Sequence, residues 1–220
     1  MKEQTGMNSN RLMVTGLTGG TGTGKTLAAD YLVAKGFARI DADQIGRDLT
    51  CDGSPMLNLL ESQFGPAGPM GREGHEITRN VDGIIALNRR AMAALVFSDE
   101  QRRECFDGIM HAEIKRIIDS QISEYRNAGG YRGILLDAPL LFEAGVDDRC
   151  DITVLITAPL DVRIDRVCSR DDISRAEVLA RIDNQMREED KRELVDYVIC
   201  NDSTEENLYK KLDDLIADLC

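Results

Sequence analysis

A glycine-rich stretch near the N-terminus constrains this chain more than any other feature. Residues 19–26 read GGTGTGKT and fit the pattern G-x-x-x-x-G-K-[ST], which wraps around the phosphates of a nucleotide. The loop needs glycines because its backbone adopts positive φ values and approaches the phosphates closely. Its N–H groups then converge on phosphate oxygens at the positive end of the following helix.

The elements predicted on either side of this loop support its interpretation as a phosphate site. A short buried strand precedes it, and a helix follows over residues 27–34. Lys25 is expected to reach the β- and γ-phosphates, and the Thr26 hydroxyl to bind Mg²⁺. The alternative, a flexible Gly/Thr linker, needs neither the flanking elements nor the Lys-Thr pair. The predicted nucleotide-binding residues are Gly20, Thr21, Gly22, Thr23, Gly24, Lys25, Thr26 and Leu27.

Composition excludes several other functional classes. The chain has 220 residues and a formal net charge of −12, so it is a poor general binder of nucleic acid or anionic membranes. Its six cysteines form no C-x-x-C pair, which argues against zinc and thioredoxin-type sites. Residues Met1–Gly6 lack the apolar region of a signal peptide, and the apolar run Ile152–Leu160 is too short to span a membrane. We therefore expect a cytoplasmic protein, with an oligomeric state that the sequence does not indicate.

Five short apolar runs predict buried strands separated by helical patterns. This alternation is typical of an α/β protein with a parallel sheet covered on both faces, which makes three layers. The predicted strands are Leu12–Leu17, Phe37–Asp41, Gly133–Asp137, Asp151–Thr157 and Val195–Cys200.

The long gap between the second and third strands shows no strand signal. Ser54–Phe64 and Ile84–Phe97 have helical spacing, and Gln101–Arg126 predicts one long helix or a broken pair. We therefore expect a nucleotide-binding core at 11–50 and 131–220, with a helical substrate-binding insertion at 51–130.

Acidic residues stand where two predicted strands end. In an open parallel sheet, these ends face the ligand crevice. Asp43, beyond the second strand, is expected to accept a proton from an attacking hydroxyl, whereas Asp41 is expected to cap the next helix. The alternative is that both acids only cap. Asp137 ends the third strand and is expected to hold Mg²⁺, directly or through water.

Three arginines, Arg163, Arg166 and Arg170, mark a predicted lid over residues 163–175. Arginines on a closing lid neutralise charge on a transferring phosphoryl group. The alternative is a solvated basic stripe paired with neighbouring aspartates. His111 lies in the long helical block, where a substrate contact and a packing role both remain open.

In this order, the motifs resemble those of the dephospho-coenzyme A kinase family. The resemblance covers about Leu12 to Asn201, and two residues depart from the usual family pattern: Ala112 stands where Pro is common, and Arg163 where Gln is common. The matching segments are Gly16–Thr26, Asp41–Asp43, Asp137–Glu143 and Arg166–Asp172.

The resemblance implies a P-loop fold of the nucleoside-monophosphate-kinase type, with a five-stranded parallel sheet, a helical acceptor-binding insertion and a lid. It implies transfer of the γ-phosphoryl group of ATP to the ribose 3′-hydroxyl of dephospho-coenzyme A, with Mg²⁺ as cofactor. In that reaction Asp43 would be the base, Lys25 would hold ATP, and Arg170 would come from the lid. Arg47, Arg89 and His111 would place the acceptor.

Two other functions remain open at this point. A P-loop kinase of another small hydroxyl or nucleotide acceptor would keep Lys25, Thr26 and Asp137 but bind a different ligand in the helical block. A nucleotide-dependent switch ATPase is less favoured, because the chain lacks the N/T-K-x-D signature of guanine-nucleotide switches.

Overall fold

The structure, a computed structural model, describes residues 11–219, so the segment Met1–Gly6 discussed above lies outside it. The described chain divides into two compact units. The first contains the residues up to Asp41 and those from Ile118 onward, and the second is Ala42–Ile117. Within residues 11–219, no helix is both long and apolar enough to cross a membrane.

Seven strands occur in the described residues, and we number them along the chain. Five of them form a parallel sheet in the order β2-β5-β1-β6-β7, and β3 pairs with β4 alone. The strands are β1 (Val14–Thr18), β2 (Phe37–Asp41), β3 (Thr78–Val81), β4 (Ile84–Leu87), β5 (Gly133–Asp137), β6 (Ile152–Thr157) and β7 (Tyr197–Cys200).

Nine α-helices connect these strands within the described part of the chain. A short 3-10 helix, Asp147–Arg149, lies between β5 and β6. The α-helices are α1 (Lys25–Ala34), α2 (Ala42–Leu49), α3 (Met56–Phe64), α4 (Arg89–Val96), α5 (Glu100–Ala128), α6 (Leu160–Asp171), α7 (Arg175–Asp183), α8 (Glu188–Leu194) and α9 (Glu205–Leu219).

The five predicted strands form one parallel sheet, which confirms the predicted fold class. Every residue of β1 and β5 is buried, because helices cover both faces of a parallel sheet. In the register of the central strands, Leu17 and Asp41 both stand opposite Asp137. The carboxyl ends of β1, β2 and β5 therefore meet at one edge of the sheet.

Helices α1 and α9 cover the core of the first unit on one side. Ala28 and Ala29 of α1 are fully buried against the sheet, and their small side chains allow close approach of the helix. Leu208 and Leu212 of α9 are buried in the same cluster at helical spacing. Burial of each leucine stabilises the fold by roughly 1.5–3 kcal/mol.

The second unit contains a hairpin that we did not expect from the sequence. The helix predicted over Ile84–Phe97 is present as α4 from Arg89, but the prediction was wrong at its start, because Ile84–Leu87 is strand β4. The turn residues Asp82 and Gly83 have φ values of 52° and 86°, as a tight hairpin turn requires. An Asp-Gly pair between apolar residues is a hairpin signal, so the sequence contained the information.

Two further sequence predictions concern the long helix and the lid. Gln101–Arg126, left open as one helix or a broken pair, lies within the single helix α5. The segment predicted as a lid contains the end of α6 and the start of α7, with Asp172 between them at a φ of 53°. Ile164, Val167 and Val178 form the small apolar cluster that packs these two helices together.

The cysteines of the described chain differ in reactivity because of burial. Burial, together with the charges of nearby aspartates, raises the pKa of the Cys150 thiol to about 12. Only roughly 10⁻⁴ of such a thiol is ionised at pH 8, and the thiolate is the reactive form. Iodoacetamide at pH 8 should therefore modify the exposed Cys51 first. Peptide mass spectrometry should find Cys150 modified only after unfolding; equal rates for the two thiols would contradict this packing.

Candidate active site

The phosphate loop runs from the end of β1 to the start of α1. Gly22 and Gly24 have φ values of 80° and 88°, which other residues adopt only with strain. Gly24 is the N-cap of α1 and offers no capping side chain, and no acidic residue lies in the first turn. The N–H groups of that turn are therefore available to an anion.

Two side chains from a later part of the chain hold the backbone of Thr21. Gln185 Oε1 accepts a hydrogen bond from the Thr21 N–H at 2.9 Å, and Arg163 Nε donates to the Thr21 carbonyl at 2.8 Å. A Cβ at Gly20 would lie 2.6 Å from Arg163 Nη2, so a larger residue there would displace the guanidinium. The loop is thus fixed from outside at its second and third residues.

Arg163 is one of few buried charged residues in the described chain. It is 7% exposed, and its ion-pair partner is Glu188, with Nη1 and Oε2 3.6 Å apart. Burial lowers the pKa of Arg163, and the Glu188 carboxylate opposes that shift. Because an arginine stays protonated in a protein, it brings a permanent positive charge to the back of the loop.

The loop lysine is paired with the acid that ends β5. Lys25 Nζ forms a salt bridge with Asp137 Oδ1, and Arg39 Nη2 lies 2.6 Å from the other carboxylate oxygen. The Asp137 side chain is 1% exposed, so both its oxygens are held by cations away from water. The strand register produces this arrangement, because Asp137 lies beside both β1 and β2.

Arg39 forms ion pairs with three carboxylates at this edge of the sheet. Its guanidinium lies 2.8 Å from Asp30 and 3.7 Å from Asp41, besides its contact with Asp137. Burial lowers the pKa of Arg39, but Asp137 and the other two carboxylates outweigh this effect and leave the pKa raised. Sequence reasoning missed this residue, whose only signal was a basic side chain inside an otherwise apolar strand.

Arg166, like Arg163, lies beside the loop and has a hydrogen-bond donor close to it. Arg166 Nη2 donates to Asn201 Oδ1 at 3.4 Å, and Asn201 Nδ2 donates to the Thr23 carbonyl at 2.9 Å. Arg166 Nη1 is buried and has no hydrogen-bond partner within residues 11–219. It lies 3.8 Å from the position of a Cβ built on Gly24. An anion bound by the loop would supply the missing acceptor.

Arg170, predicted as catalytic, has different surroundings. It is exposed in the last turn of α6, and its Nε donates to Asp171 Oδ1 at 2.7 Å. The hydrogen bonds from Arg170 and Arg181 hold the pKa of Asp171 at about 2. This interaction stabilises the fold above the ordinary aspartate pKa and is lost as the pH falls through about 2.

The acceptor residues predicted from the sequence lie in the second unit. Asp43 and Arg47 are exposed and one turn apart on α2, and Arg47 Nη2 donates to Gln44 Oε1 at 2.9 Å. Arg89 begins α4 and donates to the Thr50 carbonyl at 3.0 Å. His111 is half-buried within α5. Asp43, Arg47 and Arg89 stand at the starts or ends of short helices, and His111 stands inside the long one.

A divalent metal fits the oxygen donors near the loop. Thr26 presents an exposed hydroxyl in the first turn of α1, and Asp137 ends the neighbouring strand β5. No group of three or more His, Cys, Asp or Glu side chains in residues 11–219 could hold a metal alone. Mg²⁺ needs no such group, because it keeps several waters and shares substrate phosphates.

A buried lysine joins the segment after β5 to α8. Lys191 is 2% exposed, and its ammonium donates to the Pro139 carbonyl at 2.8 Å and lies 3.1 Å from Glu143 Oε1. A cavity of about 530 Å³ adjoins this lysine and the phosphate loop at Gly20. Sequence reasoning missed Lys191, because a lysine among the acidic residues of an exposed-looking helix gives no sign of burial.

The chain matches known proteins over most of its length. The dephospho-CoA kinase family model matches residues 13–207. A dephospho-CoA kinase from Aromatoleum aromaticum is 39% identical over 212 residues, covering 96% of this chain and 95% of that protein. A crystal structure from Thermus thermophilus superposes with a TM-score of 0.74 at 33% identity, covering 96% and 99% of the two chains. Dephospho-CoA kinase from Campylobacter jejuni has the same fold, with a TM-score of 0.63 at 20% identity over 94% and 96%.

Replacing Asn201 tests how the loop is anchored. Asn201→Ala leaves the Thr23 carbonyl without its donor in a buried position and frees Arg166 from its partner. We expect a loss of about 1–3 kcal/mol in the free energy of unfolding, measured with urea. The control Asn184→Ala removes an exposed hydrogen bond to Ala180 and should change it little. Equal effects of the two substitutions would contradict the anchoring role.

Proposed function

The chain belongs to the dephospho-CoA kinase family, and from this premise we infer that it transfers the γ-phosphoryl group of ATP to the ribose 3′-hydroxyl of dephospho-CoA. The products are CoA and ADP. The observation that carries this inference is the loop at residues 19–26. It leads into a helix N-terminus without a side-chain cap, and Lys25 is the first residue of that helix. The described residues around the loop also contribute permanent positive charge from two arginines, Arg163 and Arg166.

We propose that Lys25 changes partner when ATP binds. Its ammonium forms a salt bridge with Asp137. The β- and γ-phosphates carry more negative charge than one carboxylate, and the loop N–H groups hold them at the start of α1. Lys25 then binds phosphate oxygens, and Arg39 keeps its contact with the buried Asp137 carboxylate.

We propose Mg²⁺ as the metal that accompanies ATP. When bound, it neutralises charge on the phosphate oxygens. Thr26 would hold it through the side-chain hydroxyl, and Asp137 through the oxygen that Lys25 releases or through water. These donors are the hard oxygen ligands that Mg²⁺ prefers.

We propose Asp43 as the general base. Its carboxylate would take the proton of the ribose 3′-hydroxyl as that oxygen attacks the γ-phosphorus and the bond to ADP breaks. Asp43 lies in the first turn of α2, where the helix dipole favours the ionised carboxylate. Ionisation at neutral pH is what a base of this kind needs.

We propose that the unit Ala42–Ile117 binds dephospho-CoA. It contains all three residues expected to contact the acceptor, Arg47, Arg89 and His111. The two arginines can pair with the pyrophosphate of the acceptor, because a guanidinium matches phosphate oxygens in charge and geometry. Arg47 and Asp43 are four residues apart on one helix, so both face the same ligand.

We propose that Arg166 contacts the ATP phosphates and that Arg170 acts on the transferring group. The buried Nη1 of Arg166 beside Gly24, which has no hydrogen-bond partner among residues 11–219, supports the first assignment. Arg170 is exposed and would have to leave Asp171 to reach a substrate, as a residue of a closing lid does.

We also propose a cytoplasmic location, where the free thiols of the five described cysteines stay reduced.

Removing the proposed base tests the mechanism. Asp43→Asn should lower kcat for CoA formation by roughly 10²- to 10⁴-fold, because the side-chain amide of asparagine cannot accept the proton of the ribose 3′-hydroxyl. ATP affinity should stay within about twofold, since the loop is untouched. The measurement is CoA formation followed by mass spectrometry, together with ATP binding by calorimetry.

Asp48→Asn is the matched control for this test. It makes the same change on the same helix, where Asp48 accepts a hydrogen bond from Gln44 at 2.7 Å. Its kcat should remain near that of the unmodified protein. A kcat for Asp43→Asn as high as that of the control would remove Asp43 from the role of base.

The two lid arginines should differ in which kinetic constant they affect. Arg166→Gln should weaken ATP binding about tenfold or more, because it removes a charge-assisted contact to phosphate. Arg170→Gln should lower kcat by roughly 10³-fold while ATP affinity changes little, as loss of a transition-state contact does. Steady-state kinetics with each variant distinguish the two. If Arg166→Gln lowered kcat and Arg170→Gln weakened ATP binding instead, the proposed roles of the two arginines would have to be exchanged.

A further inference from the structure

A groove in the second unit has no assigned role. It has a volume of about 390 Å³, which is within the range of small-molecule sites. It lies among the end of α2, the length of α4 and the first turns of α5, all within Ala42–Ile117. The groove therefore belongs to one unit and is complete without the other.

Carbon-rich side chains make up the floor and one wall of the groove. Met92 and Val96 of α4 are buried in its floor, and Phe106 of α5 lines it while packing edge-on against Phe64. Phe97 at the end of α4 also lines it and is 79% exposed, more than any other large apolar side chain in the described residues. Such exposure of a phenylalanine beside an apolar groove indicates a surface that a ligand covers.

Polar groups stand at the rim rather than inside. Arg89 and Arg103 both line the groove, and Arg103 pairs only distantly with Glu100, at 3.6 Å. Thr50 supplies a hydroxyl that accepts a hydrogen bond from Arg89 at 3.3 Å. The groove is thus lined by two positively charged side chains and one negatively charged side chain, Asp107, beside its apolar surface.

We propose that this groove binds the pantetheine arm of the acceptor, with the geminal dimethyl group against Phe97 and Phe106. This assignment rests on the proposed function. The arm is neutral and carbon-rich, and it is attached directly to a pyrophosphate. A ligand of that kind matches apolar walls with arginines at the rim, because the arginines pair with phosphate while the walls exclude water from the arm.

The shape and charge of the groove favour this occupant over a protein partner. A stable protein interface buries about 800 Å² on each side, far more than a groove of this size can offer. A segment of a protein partner would also have to compensate both arginines, whereas the pyrophosphate of dephospho-CoA does so within the same molecule. Recognition of the arm would separate dephospho-CoA from other adenine nucleotides with a free 3′-hydroxyl.

The test compares acceptors with and without the arm. The variant is Phe97→Ala, and the matched control is Leu59→Ala, which removes an exposed apolar side chain from α3 in the same unit. The acceptors are dephospho-CoA and AMP, which has the same ribose hydroxyl but no arm. The fragment 4′-phosphopantetheine, which carries the arm without adenosine, serves as a competitive inhibitor.

Phe97→Ala should raise KM for dephospho-CoA about tenfold and weaken inhibition by 4′-phosphopantetheine to a similar degree. Its kcat, and its kcat/KM for AMP, should stay within about twofold of the unmodified protein. Arg103→Gln should also weaken inhibition by 4′-phosphopantetheine, because it removes a positive charge from the rim. Leu59→Ala should change none of these constants.

Two outcomes would overturn the assignment, and a third would overturn the proposed function. An unchanged KM for dephospho-CoA in Phe97→Ala would show that the arm lies elsewhere, as it would if the groove served a protein partner. Equal losses with dephospho-CoA and AMP would show that Phe97 acts through the structure of the unit. Failure of the unmodified protein to make CoA at all would instead overturn the proposed function, so the two failures are distinguishable.

Discussion

The buried carboxylate of Asp137 is the constraint on which the rest of the first unit depends. An isolated charge removed from water costs many kcal/mol, so this carboxylate needs cationic partners. Strand register supplies them, since β1 leads through the loop to Lys25 on one side of β5 and β2 carries Arg39 on the other. Hydrophobic packing of the sheet thereby sets the position of the loop lysine.

The need to pair buried polar groups also explains how the glycine-rich loop is held in place. Arg163, Gln185 and Asn201 reach it from three later segments and satisfy the backbone groups of Thr21 and Thr23. What they leave unsatisfied is equally informative. The first turn of α1 has no side-chain cap, and Arg166 has a buried donor without a partner in the described chain. The phosphate chain of one nucleotide would supply acceptors for both the N–H groups of this turn and the Arg166 donor. The loop is therefore suited to bind an anion.

The sequence predicted the parallel sheet, the loop and the ends of its strands, because these depend on short-range patterns: apolar runs, glycines and a lysine-threonine pair. It did not predict the hairpin around Asp82, where helical spacing in Ile84–Phe97 hid a turn signal. The ion pairs of Arg39 and Lys191 also escaped prediction, because they depend on which strands and helices become neighbours. The roles of Asp43, Arg47, Arg89, His111 and Arg170 remain predictions.

The central claim is that Lys25 exchanges the Asp137 carboxylate for a phosphate oxygen when nucleotide binds. Nuclear magnetic resonance of lysine NH₃⁺ groups, with the Lys25 signal assigned through Lys25→Arg, measures this directly. In the free protein the signal should show slow proton exchange, as expected for an ammonium held by a buried carboxylate. It should shift on addition of a non-hydrolysable ATP analogue with Mg²⁺ but not on addition of adenosine. A signal that ignores the analogue, or responds equally to adenosine, would contradict the account.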